Sequence, residues 1–291
     1  IKNLNNNKEL LVQHEVAIAL TYLNKFKTLE QHSIDLINIF PQLKGDIKGA
    51  YSVLKNVRDA DMMIDADSTV RNLQKESASK KIILPSTRVF IITCDRPPAL
   101  DRLLKSIYEA GQLERHDSIF VIDNSRVEKN SSGNQEIVVQ MNKQQKKRIV
   151  YFGASHQDTL LEGLINSIPD EEIAIRFLID REKWSSESSY GLSRNLCLLL
   201  SVGYRALILD DDILCEAIKP PLPSSGLIFG DGSDRRAIFY PSRNHMREIG
   251  IKTGFNPLNA HSKVLGETIS RAVSFLQHGP LNQNALNGSN A

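Results

Sequence analysis

Asp210, Asp211 and Asp212 stand in an unbroken row. Three adjacent carboxylates repel one another, so a fold gains nothing by gathering them unless a cation or a cluster of donors is close by. Oxygen-only ligands of this kind suit Mg²⁺ or Mn²⁺, ions that keep several waters and take further oxygens from a bound diphosphate. Ser193, Arg194 and Asn195 form a polar segment upstream. Two more polar clusters follow apolar runs: Cys94-Asp95-Arg96 after Val89–Thr93, and Asp123-Asn124-Ser125 after Ile119–Ile122. The plainer alternative for the aspartate row is an acidic loop in which one carboxylate caps a following helix and the others face water.

Each cluster needs an element to hold it. Ala206 to Leu209 is an uninterrupted apolar run, the mark of a strand covered on both faces. The three aspartates therefore fall at the carboxyl end of a central strand, where open α/β sheets place their ligand crevice. Gly191 and Ser193 suit a turn and a helix start, Leu196 and Leu198–Leu200 supply a broad apolar face, and Gly203 suits a left-handed helix end. Val89–Thr93 is apolar and β-branched, a buried strand by composition. Pro98 suits the start of a helix whose Leu100, Leu103, Leu104 and Ile107 share one face, with Gly111 closing it. Ile119–Ile122 is the next strand. Strand, helix and strand at this spacing make a βαβ unit, hence a parallel sheet with a right-handed crossover. Asn130 to Asn134 reads as a loop leading into a polar linker. Arg148–Phe152 reads as a third strand stopped by Gly153, and Thr159–Ile168 as a helix ended by Pro169. Residues 171–180 suit either a helix or a strand. Arg181–Ser189 is a polar loop, mobile or a plain surface connection, that holds the only tryptophan, Trp184.

Residues 1–80 have another texture. Leu10, Leu11, Val16, Leu20, Leu23, Phe26 and Leu29 recur at helical spacing, a second helical stretch runs from Ile34 to Phe40 before Pro41, and a third from Ile47 to Val57. His14 and His32 are expected at the surface or boundary of these helices. The chain starts at Ile1 without a methionine, so a piece of a longer protein is expected. Charge narrows the partners: 36 basic against 34 acidic residues leave a formal +2, which implies no polyelectrolyte. The densest basic run, Lys143 to Arg148, lacks interleaved aromatics and reads as a solvated loop, so no nucleic acid is expected. Cys94, Cys197 and Cys215 are odd in number and have no metal spacing, which points to a reducing compartment. No apolar run approaches the ~20 residues that span a bilayer, and no signal peptide is evident. The expectation is a cytoplasmic protein, with peripheral attachment at the inner membrane as its variant.

The series VFIITCDRPPALDRLLKSI, IFVIDNS, GLSRN and LILDDDI, in that order, resembles the nucleotide-binding half of family 2 glycosyltransferases with the GT-A fold, over about residues 88–215. The resemblance implies a doubly wound, mostly parallel α/β sheet preceded by an N-terminal helical segment. It divides the chain into a helical appendage or upstream domain end at 1–84, a GT-A domain at 85–277 and a disordered tail at 278–291. It implies that Thr93, Asp95 and Arg96 lie along the nucleotide, that Asp123 and Asn124 read uracil or ribose, and that Arg194 and Asn195 face the sugar diphosphate. Asp210 and Asp212 match the metal motif, Asp212 as the favoured ligand, with Asp211 in the variable slot beside the substrate. The implied activity is Mn²⁺- or Mg²⁺-dependent, hexosyltransferase-like and inverting transfer of a sugar from a UDP- or GDP-sugar to a hydroxyl acceptor. The chemistry agrees: a leaving nucleoside diphosphate gains negative charge that a divalent cation stabilises without proton transfer.

The C-terminal third departs from the family pattern. Inverting members carry a Glu-Asp pair whose Asp deprotonates the acceptor; here Leu265-Gly266-Glu267-Thr268 has Thr in that place. Glu267 is the candidate base, equally suited to the first turn of a helix. Asp231, Asp234, His245, His261 and His278 are rivals. A nucleotidyltransferase of similar architecture is a competing reading, against which the glycine-free loop Cys94–Pro98 counts. A nucleotide-sugar-binding module without catalysis, consistent with Thr268, is another.

Overall fold

The computed structural model describes residues 1–4, 6–75, 83–111, 113, 116–144, 146–185, 190–219, 239–242, 244, 245, 248, 251–276, 281 and 286. The chain divides into two compact units, one drawn from Ile1–Ala78, Leu222–Phe239 and Thr268–Ala291, the other from Ser79–Pro221 and Tyr240–Glu267.

The first unit is helical. It begins with α1 (His14–Leu20), α2 (Leu29–Ile39), α3 (Ile47–Asp59) and α4 (Ala66–Gln74). The apolar spacing that suggests one long helix over residues 10–29 is instead broken at Thr21. Thr28 starts α2 with a capping box, its hydroxyl accepting from the Gln31 N–H while the Gln31 side chain accepts from the Thr28 N–H. α3 matches its expected extent. α4 lies in a stretch that reads as polar, and Asp65 caps it through the Ser68 N–H at 2.7 Å. His14 is exposed as expected, but His32 is buried beside Ser33 and Leu36, and that burial lowers its pKa.

The second unit is α/β. In chain order it runs β1 (Thr87–Thr93), α5 (Pro97–Ala110), β2 (His116–Asp123), α6 (Glu128–Gln144), β3 (Ile149–Phe152), α7 (Ala154–Ser167), α8 (Glu172–Ile179), α9 (Tyr190–Leu200) and β4 (Arg205–Asp210). A short antiparallel pair, β5 (Ile218–Lys219) with β6 (Ile251–Lys252), and helix α10 (Pro257–Val264) follow. The remaining helix, α11 (Ile269–Leu276), belongs to the first unit. β1 to β4 form a four-stranded parallel sheet in the order β3-β2-β1-β4.

Strand alternation sorts the side chains into two layers. Val89, Ile91, Val121, Ile149, Leu207 and Leu209 face α5 and α6, where Leu100, Leu103, Leu104, Ile107, Val138 and Met141 complete one core. Phe90, Ile92, Phe120, Ile122, Ala206 and Ile208 face the opposite way, onto Leu161, Ile179, Leu192 and Leu196 of α7, α8 and α9. Helices on both faces make this a doubly wound sheet, Rossmann-like in topology.

One sequence expectation gives way here and one open choice is settled. Asn130–Asn134 lies in the first half of α6, not in a loop, and within residues 171–180 the stretch Glu172–Ile179 is helix. Gly133 and the Ser/Asn run weaken helix propensity. Gly133 passes Pro97 at a distance where a Cβ would make ordinary van der Waals contact, 3.4 Å from the ring. Gly203 behaves as expected, with φ +79 after α9. Of the polar loop Arg181–Ser189, residues 186–189 lie outside the described residues. The tail from residue 278 also lies outside them, apart from Leu281 and Leu286, while α11 associates with the helical unit rather than the sheet domain.

Candidate functional site

The strand order reverses between β1 and β4: β2 and β3 lie on one side of β1 and β4 on the other. Connections leave this point in opposite directions, which opens a crevice outside the carboxyl ends. Thr93 and Arg96 border it from β1, and Asp210, Asp211 and Asp212 from β4, with Ile92 paired to Asp210 across the ladder.

The three aspartates differ once folded. Asp211 is fully buried, its Oδ2 accepting from the Thr93 hydroxyl at 2.7 Å and its Oδ1 lying 2.5 Å from a guanidinium nitrogen of Arg96. Burial pushes its carboxyl above the usual carboxylate range, reinforced by the charges of Asp212 and Asp210 and opposed by Thr93 and Arg96. Asp212 is exposed and lies 3.6 Å from the other terminal nitrogen of Arg96. Asp210 is exposed and meets Arg194 of α9 at 3.4 Å. The mouth is thus a row of three carboxylates faced by two guanidiniums, with one carboxylate sunk beneath.

A second cluster lies at the carboxyl end of β2, and it is closed. The Asp123 carboxylate accepts from the Ser125 N–H at 2.8 Å, the Asn134 amide at 3.0 Å and the Tyr151 hydroxyl at 2.7 Å. Burial and that carboxylate raise the Tyr151 phenol well above its ordinary pKa. Asp95 adopts a left-handed backbone, φ +56, and its side chain reaches over to cap α6, accepting from the Arg126 and Val127 N–H groups and from Asn130. Its own N–H donates to the Ser125 hydroxyl at 2.8 Å. Asn124 donates to the Ser193 hydroxyl at 2.7 Å and accepts from the Gln157 amide at 3.1 Å, which ties the β2 end to the first turn of α9. Burial, with Asp95 next to it, raises the Cys94 thiol pKa.

Of the residues the sequence nominates, Thr93, Arg96, Arg194, Asp210, Asp211 and Asp212 come together at the crevice. Thr93 and Asp211 are turned inward as its floor. Asp95 and Asp123 each accept three protein hydrogen bonds that tie them into the fold. Asn124 is committed to Ser193 and Gln157. Asn195 points away, donating to the Leu178 carbonyl of α8 at 3.0 Å. Glu267 lies apart from the crevice. Arg205, at the amino end of β4, binds the Ser262 and Leu265 carbonyls at 2.9 and 2.7 Å. His116, at the amino end of β2, meets the Ser262 hydroxyl at 2.8 Å. These contacts fix Gly266-Glu267 at the amino edge of the sheet, about five strand steps, roughly 16 Å, from Asp210. His261 lies on α10 in the same region, whereas Asp231, Asp234 and His278 fall outside the described residues.

Asn134, Tyr151 and Gln157 escape sequence reasoning, and Ser125 and Ser193 figure in it only as members of polar clusters. They support the strand ends through contacts between distant elements, and no local motif marks that role.

The N-terminus of α5 offers no anion nest. Pro97 and Pro98 have no N–H, and the Ala99 and Leu100 N–H groups both donate to the Arg96 carbonyl. The cationic groups at this crevice are the guanidiniums of Arg96 and Arg194. For a cation, the exposed donors are carboxylate oxygens only, the chemistry that suits Mg²⁺ or Mn²⁺. Among the described residues no group of three or more His, Cys, Asp and Glu gathers to hold an ion alone. Asp210 and Asp212 are the two exposed carboxylates of the row. No family model matches the chain, and no curated protein or solved structure matches it either. No helix among the described residues is long and apolar enough to cross a membrane.

Proposed function

We propose that this protein binds a nucleoside-diphosphate sugar together with a divalent cation at the crevice between β1 and β4, and that it is a glycosyltransferase of GT-A type. The observation that carries this reading is the interleaved set Arg96–Asp211/Asp212 and Arg194–Asp210 at the point where strand order reverses. A diphosphate needs cations on its oxygens and a cation needs hard oxygens, and this mouth supplies both. Arg96 and Arg194 would hold the diphosphate, and Asp210 and Asp212 would hold Mn²⁺ or Mg²⁺. When bound, the ion supplies charge neutralisation for the departing diphosphate. Thr93 and Asp211 keep Arg96 in place from below. The Asn124–Ser193 hydrogen bond sets the first turn of α9, and with it Arg194.

The proline pair at α5 argues against a nucleotidyltransferase, whose triphosphate calls for a run of backbone donors after the first strand. Glu267, remote at the amino edge, has no part in the proposal. Its placement supports a second reading, a module that binds the nucleotide sugar without transferring it.

Titration calorimetry with UDP and GDP, with and without Mn²⁺, tests the site on the wild type and Asp212→Ala. The expected result is Mn²⁺-dependent binding of one nucleotide, weakened at least about tenfold by the substitution, the loss expected for a charged contact. A folded wild type that binds neither nucleotide would overturn the reading. Release of free sugar from UDP- or GDP-sugars, followed by chromatography, then separates enzyme from module.

A further inference from the structure

The two crevice arginines occupy the places that a ligand's charges would need. Arg96 uses one terminal nitrogen on buried Asp211 at 2.5 Å and the other on exposed Asp212 at 3.6 Å, and Arg194 meets exposed Asp210 at 3.4 Å. The contacts to Asp210 and Asp212 join groups that are each about half-exposed or more, with side-chain exposures of 52–60%, so they are screened and easily exchanged. The contact to Asp211 is sheltered and fixed by Thr93.

Resting on the nucleotide-diphosphate reading, we infer that Arg96 and Arg194 are exchangeable counter-ions that couple cation binding to nucleotide binding. Without ligand they neutralise Asp212 and Asp210. When a diphosphate arrives they pass to its oxygens and release both aspartates to the cation. Arg96 turns about its anchored nitrogen: Asp211 keeps one end while the other swings from Asp212 to phosphate.

Charge explains why both ligands must come together. Three carboxylates against two guanidiniums leave the mouth at most one net negative charge. A lone divalent cation would make it net positive and would compete with both guanidiniums for the same oxygens. A lone diphosphate would add negative charge beside three carboxylates. Bound together, the two charges offset, and each guanidinium trades a carboxylate oxygen for a phosphate oxygen.

Mn²⁺ titration, read by the electron paramagnetic resonance of free Mn²⁺, separates exchange from simple phosphate binding. It is run on the wild type, Arg194→Ala and Arg96→Gln, each with and without whichever of UDP and GDP binds. The nucleotide should tighten wild-type Mn²⁺ binding at least about fivefold, with the same factor returned on nucleotide affinity, because binding linkage is reciprocal. In Arg194→Ala, Mn²⁺ alone should bind about three- to tenfold tighter than in the wild type. Nucleotide with Mn²⁺ should bind at least about tenfold weaker. These opposite signs are not what a merely structural role would give. Arg194→Ala removes a half-exposed guanidinium from exposed Asp210, so it stays interpretable even if Arg96→Gln, which unsettles buried Asp211, folds poorly. A wild type that binds nucleotide with Mn²⁺, while neither variant gains affinity for Mn²⁺ alone, overturns the exchange and leaves the proposed function standing. A wild type that binds no nucleotide under any condition overturns both.

Discussion

The carboxylates at the end of β2 and those at the end of β4 began as equal candidates for ligand contact, and the fold treats them in opposite ways. Asp123 is buried and receives three protein donors, and Asp95 receives three more across the β1–α6 gap. Asp210 and Asp212 are exposed and face half-exposed guanidinium groups instead. A carboxylate satisfied by backbone N–H groups and short side chains is a joint, because nothing can take its place without breaking the fold. One held by a long, half-exposed arginine can change partner. Residue type and position at a strand end do not distinguish the two; the identity of the donor does.

The largest effect expected from this contrast is structural. Asp123→Ala leaves the Ser125 N–H, the Asn134 amide and the Tyr151 hydroxyl without their acceptor, which costs about 3–5 kcal/mol. Urea unfolding should show it as a lowered midpoint. A loss below about 1 kcal/mol would mean that waters or a ligand, rather than this network, satisfy the site, and the contrast would fail.

Asp95→Ala comes next. It removes the cap of α6 and places a Cβ-bearing residue without side-chain compensation at φ +56. Together these cost about 2 kcal/mol. Asp95→Gly keeps the backbone comfortable and loses only the cap, so it should recover about half of that. Equal losses in the two variants would remove backbone strain from the account.

Asp212→Ala should do the reverse of Asp123→Ala. Its exposed ion pair contributes within about 0.5 kcal/mol to folding, so the urea midpoint stays put while Mn²⁺-dependent nucleotide affinity falls at least about tenfold. Destabilisation comparable to that of Asp123→Ala would place Asp212 among the joints and break the comparison from the other side.

The sheet was largely legible in the sequence, since Val89–Thr93 and Ile119–Ile122 announce buried parallel strands by composition alone; Ala206–Leu209 announced a strand as well, but β4 lies at the edge of the four-stranded sheet and is only half-buried, not central and covered on both faces. The crevice followed from that, because polar clusters after such runs must lie at carboxyl ends. The roles within it were not legible. Three identical aspartates give no sign that the middle one is buried; that depends on Thr93, more than a hundred residues away in the chain. Asn134 sits in a stretch whose Ser, Asn and Gly content argues for a loop, yet a cap supplied by Asp95 and a partner in Asp123 hold it in a helix. Glu267 was nominated by a local motif, while its location is set by Arg205 and His116 gripping the C-terminal end of α10 at the far edge of the sheet.

The smallest expected effect concerns acid. Burial alone would raise the Asp95 carboxyl, but hydrogen bonds from Val127, Asn130 and Arg126 outweigh it and hold the pKa below the ordinary carboxylate value. The folded state thus binds this proton less readily than the unfolded chain, whose aspartates titrate near about 3.9. The stability that the ionised cap contributes is present above that value and fades as the pH falls from there through the lowered folded-state pKa. Asp95→Asn keeps a capping oxygen at all pH values, so its stability should follow the wild type with a small constant offset near neutrality. Below about pH 4 the wild type should lose stability faster, and the two curves converge. Urea midpoints taken between pH 3 and 7 on both proteins test this. Curves that stay parallel to the lowest pH would show that the Asp95 charge adds nothing to its hydrogen bonds, leaving the distinction between the two ends of the sheet to donor geometry alone.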